Sequence, residues 1–367
     1  MAQEHLRVNT LSMWAAGSVT CGTRPAMGWR RLFCLLPVGF FFHGMDATKA
    51  TNPNPSKFLI VSAPRDSRIS YMKVRRGNKP VMDDETKMMD LINSGLVHPQ
   101  GLAVDQKTGR LFVADPDMKS IFFYKLRSAQ DGLHVGPQNV LVGDTESRWV
   151  TVDPTGNIFF TDEPRNQILK VSHTKSLRGN ITPEVVLDGY SMAQVNAPGG
   201  VATDSFHTYW VNKQIGMQVG SVVRAPKAHE RSSFVADVQT IARNTDKSYG
   251  ICLALNNVFF TQPAATLYGV KKGGSTVVPI SDRLTNPRGC AWDGDGTVYV
   301  ADRGANAVYS FAGSMQALSA AQLSKTVDFQ DAFGVAVYSK ATRCWASSLL
   351  CMAAGLLAAS HLAVGSF

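Results

Sequence analysis

The feature that most limits how this chain folds is a phrase that it repeats. "GLAVDQKTGRLFVADPDMKSIFFYKL" at Gly101–Leu126 returns as "WVTVDPTGNIFFTDEPRNQILKV" at Trp149–Val171, and again from Gly200, Gly250 and Gly289. Each copy opens on a short apolar strand, which in four copies ends in an aspartate: Asp105, Asp153, Asp204 and Asp293. A turn rich in Asp, Asn and Gly follows, the residues that close hairpins because they accept left-handed backbone or bond their own main chain. The second strand is aromatic and β-branched, as in Leu111–Val113, Ile158–Phe160, Tyr209–Val211, Val258–Phe260 and Val298–Val300. A third strand and a less regular fourth complete the unit. Four antiparallel strands in about 40–50 residues is the size of one propeller blade.

The two ends of the repeat region complement each other. Phe333–Val337 matches a first strand with no second strand after it, whereas Phe58–Val61 matches a second strand and Arg68–Lys73 a third. Pairing them adds a shared blade to the five full copies. The chain therefore reads as all-β, a six-bladed β-propeller over residues 58–339, with the last blade closed by both ends and no free sheet edge there.

Charge and the flanking segments bear on location and partners. The net charge of +9 is not gathered into a stripe of Lys and Arg, so no nucleic acid partner is expected. Residues 1–47 read as a leader. Its part 27–47 has the build of a secretory signal peptide: basic Trp29–Arg31, apolar Leu32–Phe42 and a small-residue exit near Ala47. Residues 48–57 read as a linker. Residues 340–367 read as a hydrophobic tail, apolar from Trp345, which fits a glycolipid (GPI) attachment signal or a membrane anchor; the two stay open. Either places the propeller on the non-cytoplasmic side, at the cell surface or tethered to a membrane. Asn180-Ile181-Thr182 is a glycosylation sequon that agrees with this route. Of six cysteines, Cys252 and Cys290 alone fall within the repeats. They stand on neighbouring first strands at different offsets from the preceding glycine. Their side chains are expected on opposite faces, which reads as two buried free thiols.

The phrases "HPQGLAVD", "GRLFVAD" and "NPRGCAWDGDGTVYVADRGANAVYSF" resemble the six-bladed TolB-like superfamily: NHL-repeat proteins, gluconolactonase-like hydrolases and strictosidine-synthase-like proteins. "YWVN" at Tyr209–Asn212 is similar to the YWTD signature of lipoprotein-receptor propellers. The resemblance covers residues 58–338 and implies the architecture more than an activity. Gluconolactonase-like enzymes hold a divalent metal through a first-blade Glu, an Asn before a first strand and an Asp in a "PDG" phrase. The matching positions here read Ser62-Ala63-Pro64-Arg65, Pro198-Gly199-Gly200 and Pro287-Arg288-Gly289. Neither a metal nor another cofactor is therefore expected.

The loops that enter the six first strands should share one face around the central channel. They bring His98, Arg148, Trp149, Asn196, Tyr249, Arg288 and Asp331 to one mouth. Aromatic groups with a few convergent polar ones form a ligand site, and His98, Arg148 and Arg288 bias it towards an anionic group. Asp115, Asp162, Asn212, Gln262 and Asp302 recur just past the second strands. Recurrence in every blade favours a local structural role, since a metal needs only one cluster. The reading is a non-catalytic binding propeller that takes a protein or a small anionic ligand at the mouth. The alternative is a gluconolactonase-like or strictosidine-synthase-like hydrolase or lyase with a rebuilt site.

Overall fold

The computed structural model describes residues 57–74, 87–178, 181–214, 219–227, 237–274 and 276–339. The leader, most of the linker, Asn180, the tail and the other four cysteines lie outside these residues. The repeats fold as expected, into six antiparallel sheets. Blade 1 is Leu102–Asp105, Arg110–Asp115, Ser120–Ser128 and Asn139–Val142, with Leu133–Val135 as an added strand. Blade 2 is Ser147–Val152, Ile158–Asp162, Gln167–Val171 and Glu184–Asp188. Blade 3 is Pro198–Thr203, His207–Asn212, Gly220–Pro226 and Gln239–Thr245, and blade 4 is Ile251–Ala254, Asn257–Thr261, Leu267–Lys271 and Val278–Ser281. Blade 5 is Pro287–Trp292, Thr297–Asp302, Ala307–Ala312 and Ser324–Asp328. Blade 6 joins Val335–Ser339 to Lys57–Ala63, Arg68–Val74 and Met89–Ile92. The closing register runs from Val61 opposite Val335 to Lys57 opposite Ser339.

Alternation along the second strands explains the core. Leu111 and Val113 pack towards blade 6, while Phe112 and Ala114 pack towards blade 2. Likewise Leu59 and Val61 face blade 5, while Phe58 and Ile60 face blade 1. Successive residues thus feed different wedges, and the apolar core consists of six clusters, one between each pair of neighbouring blades. A strand buried on both faces reads as a continuous apolar run, as these do.

This stacking corrects the cysteine expectation. Cys252 and Cys290 are joined by a disulfide, with Cα atoms 5.6 Å apart. Cys252 sits opposite Phe259 and Cys290 opposite Val300, and all four belong to the wedge between blades 4 and 5. The blades stack face to face, so residues on opposite faces of successive sheets point at each other. Opposite faces are the condition for this bridge, not an objection to it.

The inner rim explains the glycine that opens every copy except the one beginning at Trp149. A Cβ on Gly250 would lie 2.1 Å from the Arg288 carbonyl oxygen, and one on Gly334 would lie 2.1 Å from that of Gln100. Hydroxyls in every second blade stitch the same rim. Thr261 Oγ1 accepts from Gly250 N at 2.9 Å and donates to Arg288 O at 2.7 Å. Ser62 Oγ accepts from Gly334 N at 2.8 Å and donates to Gln100 O at 2.6 Å, and Thr161 Oγ1 donates to Gly199 O at 2.9 Å. In the intervening blades Ala114, Val211 and Ala301 stand at this position. There, direct backbone bonds cross two of the interfaces, Gly200 N to Tyr249 O at 2.7 Å and Gly289 N to Phe333 O at 2.8 Å.

The aspartates that end the first strands cap their hairpins, and Asp153, Asp204 and Asp293 also pair with a lysine of the next blade. Asp153 accepts from Thr155 N and Asn157 N, and Lys227 of blade 3 reaches it at 2.8 Å. Burial works against this carboxylate, but the bonds from Lys227, Thr155 and Asn157 outweigh it and hold its pKa down at about 2. Asp204 follows the same logic with Lys272 of blade 4 at 2.8 Å, burial being outweighed by the bonds from Lys272, Phe206 and His207, and also lies at about 2.

Candidate functional site

Buried acids after the second strands shape the mouth. Asp115 accepts from the main-chain N–H of Val97, His98 and Met118, and Asp302 from those of Thr285, Asn286, Gly304 and Ala305. Asp162 accepts from Arg165 N and Thr145 Oγ1, and Asn212 Oδ1 accepts from Asn196 N. These side chains are spent on fixing the entering loops and the turns opposite them, which is the local role that their recurrence implied. Among the described residues no group of three or more His, Cys, Asp or Glu side chains is placed to hold a metal ion.

Held this way, the loops surround a cavity of about 570 Å³. His98, Arg148, Trp149, Tyr249 and Arg288 line it, as placed by the sequence. Asn196 and Asp331 do not. Asn196 is held through its main chain to Asn212, and buried Asp331 lies behind the wall, bound by Arg303 Nε at 2.5 Å and by the Arg65 N–H at 2.6 Å. Sequence reasoning missed Glu163, Lys213 and Arg303, which each follow the acid or amide that ends a second strand. Reading the repeated phrase one residue further would have found them.

The wall is cationic and aromatic. Arg148, Lys213, Lys247, Arg288 and Arg303 face only two carboxylates among the lining residues, Glu146 and Glu163. Glu163 is paired with Lys213 and lies 3.7 Å from Arg148, which also meets Glu146 at 3.0 Å. Burial lowers the Lys213 ammonium from its usual range, against the opposing pull of Glu163. Three cations converge on one ring, that of Tyr249: Arg288 at 4.0 Å, Lys247 at 5.6 Å and Lys213 at 5.8 Å from its centroid. Trp149 and Phe333 meet at 5.4 Å between centroids, and Trp149 also lines the axial channel below, so this pair forms an aromatic floor.

Two side chains in the wall carry polar atoms with no hydrogen-bond partner among the described residues. Arg288 Nε and Nη1 are buried and make no hydrogen bond, and burial lowers the guanidinium's pKa. Gln100 Oε1 is likewise buried and unbonded, on a residue only 3% exposed. Groups left so are normally satisfied by water or a ligand. At the positions matched to the metal ligands of gluconolactonase-like enzymes, Ser62 and Gly199 serve the rim and Arg288 lies on Tyr249.

The fold and mouth define a six-bladed β-propeller with a cationic, aromatic-floored central cavity. No protein-family model matches the sequence, and no curated protein does. Among solved structures, a chain of a nidogen/laminin complex is similar at 13% identity, with a TM-score of 0.59 over 77% of this chain and 99% of that one. A gluconolactonase from Xanthomonas campestris is similar at 14% identity, with a TM-score of 0.49 over 64% of this chain and 78% of that one. A virginiamycin B lyase from Staphylococcus aureus is similar at 13% identity, with a TM-score of 0.47 over 78% and 92%. At 13% identity the likeness to the nidogen/laminin chain is one of fold alone, and fold does not fix function.

Proposed function

We propose that this chain is a binding propeller whose mouth takes an anionic group, carried by a protein or a small molecule. The observation that carries the reading is the convergence of Arg288, Lys213 and Lys247 on Tyr249, in a cavity wall where five cations face two carboxylates. A carboxylate, sulfate or phosphate would offset that excess charge, and the Trp149–Phe333 floor would take an apolar body beside it. We further propose secretory placement, with the tail holding the propeller at a membrane. The disulfide between Cys252 and Cys290 supports an oxidising compartment, since such bridges are rare in reducing ones. The test is calorimetric titration of the protein with citrate, glucuronate and inorganic phosphate, beside neutral glucose. Arg288→Met should weaken anion binding about tenfold or more while leaving the fold intact. Equal binding by wild type and variant, or no preference for anions over glucose, would overturn the proposal.

A further inference from the structure

The face opposite the mouth carries the first-to-second and third-to-fourth strand connections. Both ends of the propeller leave there. Ser339 N donates to Gln106 Oε1 at 3.0 Å beside the blade 1 hairpin, and Lys57 Nζ meets Asp293 at 2.9 Å in the blade 5 hairpin. The hairpin tips on this face differ in chemistry. Blades 1, 2 and 5 turn on Lys107-Thr108-Gly109, Pro154-Thr155-Gly156 and Gly294-Asp295-Gly296. Blades 3 and 4 instead project Phe206, 75% exposed, and Leu255, 57% exposed. Leu177, 62% exposed, adds a third apolar side chain from blade 2, flanked by exposed Lys175 and Arg178.

Leu255 has φ 53, a left-handed backbone that hairpins usually give to Asn or Gly and that a bulky side chain adopts only under strain. The turn closes the Ala254–Asn257 pairing of the blade 4 hairpin, but its exposed leucine side chain adds nothing to the buried core. The tips are also neighbours. Lys272 donates its N–H to Asn256 O beside Leu255, and its ammonium reaches Asp204, in the same turn as Phe206.

We infer that this face docks on a lipid bilayer, with Phe206, Leu255 and Leu177 entering the interface and Lys175 and Arg178 at the headgroup phosphates. Apolar side chains rimmed by Lys and Arg are the chemistry of interfacial binding. The occupant is fixed by where the chain leaves. The apolar run from Trp345 follows Ser339 after residues 340–344, a spacer that spans at most about 18 Å even when extended. The inference deepens the tethered reading and rests on it for orientation, with the mouth turned away from the membrane.

The test reconstitutes the full chain into phosphatidylcholine–phosphatidylserine vesicles with brominated acyl chains, which quench nearby tryptophan. Phe206→Trp is compared with Met118→Trp, a position on the mouth side that is 38% exposed, each read as the change from wild type. Quenching of the added fluorescence in Phe206→Trp, with none in Met118→Trp, is expected. Protein that floats with the vesicles but shows no such difference, or the reverse, overturns the docking face and leaves the tether standing. Protein that does not float with the vesicles overturns both.

Discussion

Replacing Thr261 by valine isolates the rim stitching from every other contribution. The two side chains have nearly the same shape, so packing in the blade 4–5 wedge should persist, and only the hydroxyl is lost. That hydroxyl sits on a residue with no exposed surface and serves two main-chain groups, Gly250 N and Arg288 O. Each group, left buried and unbonded, costs about 1–3 kcal/mol, so Thr261→Val should destabilise the propeller by about 2–6 kcal/mol. For a domain of this size each kcal/mol moves the melting temperature by about 2–4 °C, so Tm should fall by roughly 4–24 °C. Thr261→Ser retains the hydroxyl and should recover most of the loss. The assay is thermal and urea unfolding followed by circular dichroism, with the three proteins side by side. A valine variant within about 1 kcal/mol of wild type, or a serine variant no better than valine, refutes the claim that the hydroxyl joins the two blades. Arg288 belongs to the mouth, so the valine variant should also weaken citrate binding, and the serine variant should not.

Two further outcomes are expected. Removing the disulfide by Cys252→Ala with Cys290→Ala, at a sequence separation of 38, should cost about 4 kcal/mol in chemical denaturation, and a strong reductant should lower wild-type stability similarly while leaving the variant unchanged. Asp153, held at about 2 in the folded chain against an ordinary 3.8, stabilises the fold fully above the ordinary value and loses that contribution as pH falls through about 2. Its share is about 2 kcal/mol, so Asp153→Asn should be less stable than wild type at pH 7, and the gap should close as pH falls from about 4 to 2.

The repeated phrase made the architecture legible because each of its parts has a local physical cause. Asp105, Asp153, Asp204 and Asp293 cap hairpins, and Asp115 and Asp302 pin loops through main-chain bonds that need no distant partner. The complementary ends, Phe58–Val61 and Phe333–Val337, gave the closure for the same reason. What escaped depends on how one blade meets the next. The disulfide was misread because facing within a single strand says nothing about which sheet lies opposite. Asp331 was placed in the mouth by its loop, but Arg303 and the Arg65 N–H draw its carboxylate into the wall. Lys213 and Arg303 gain their meaning only where neighbouring blades bring them against Tyr249 and Phe333.

The shared blade also sets a schedule for synthesis. Ser62 and its closing partner Gly334 are 272 positions apart, so at about 5–20 residues per second the outer part of blade 6 waits roughly 15–50 s for its last strand to be translated. Throughout that interval Lys57–Ala63 presents an open β-edge rich in Phe, Leu, Ile and Val, a template for pairing with another nascent chain. A message truncated before Val335 would yield five blades and a permanently sticky edge, so quality control of this protein comes down to the delivery of five residues, Val335–Ser339.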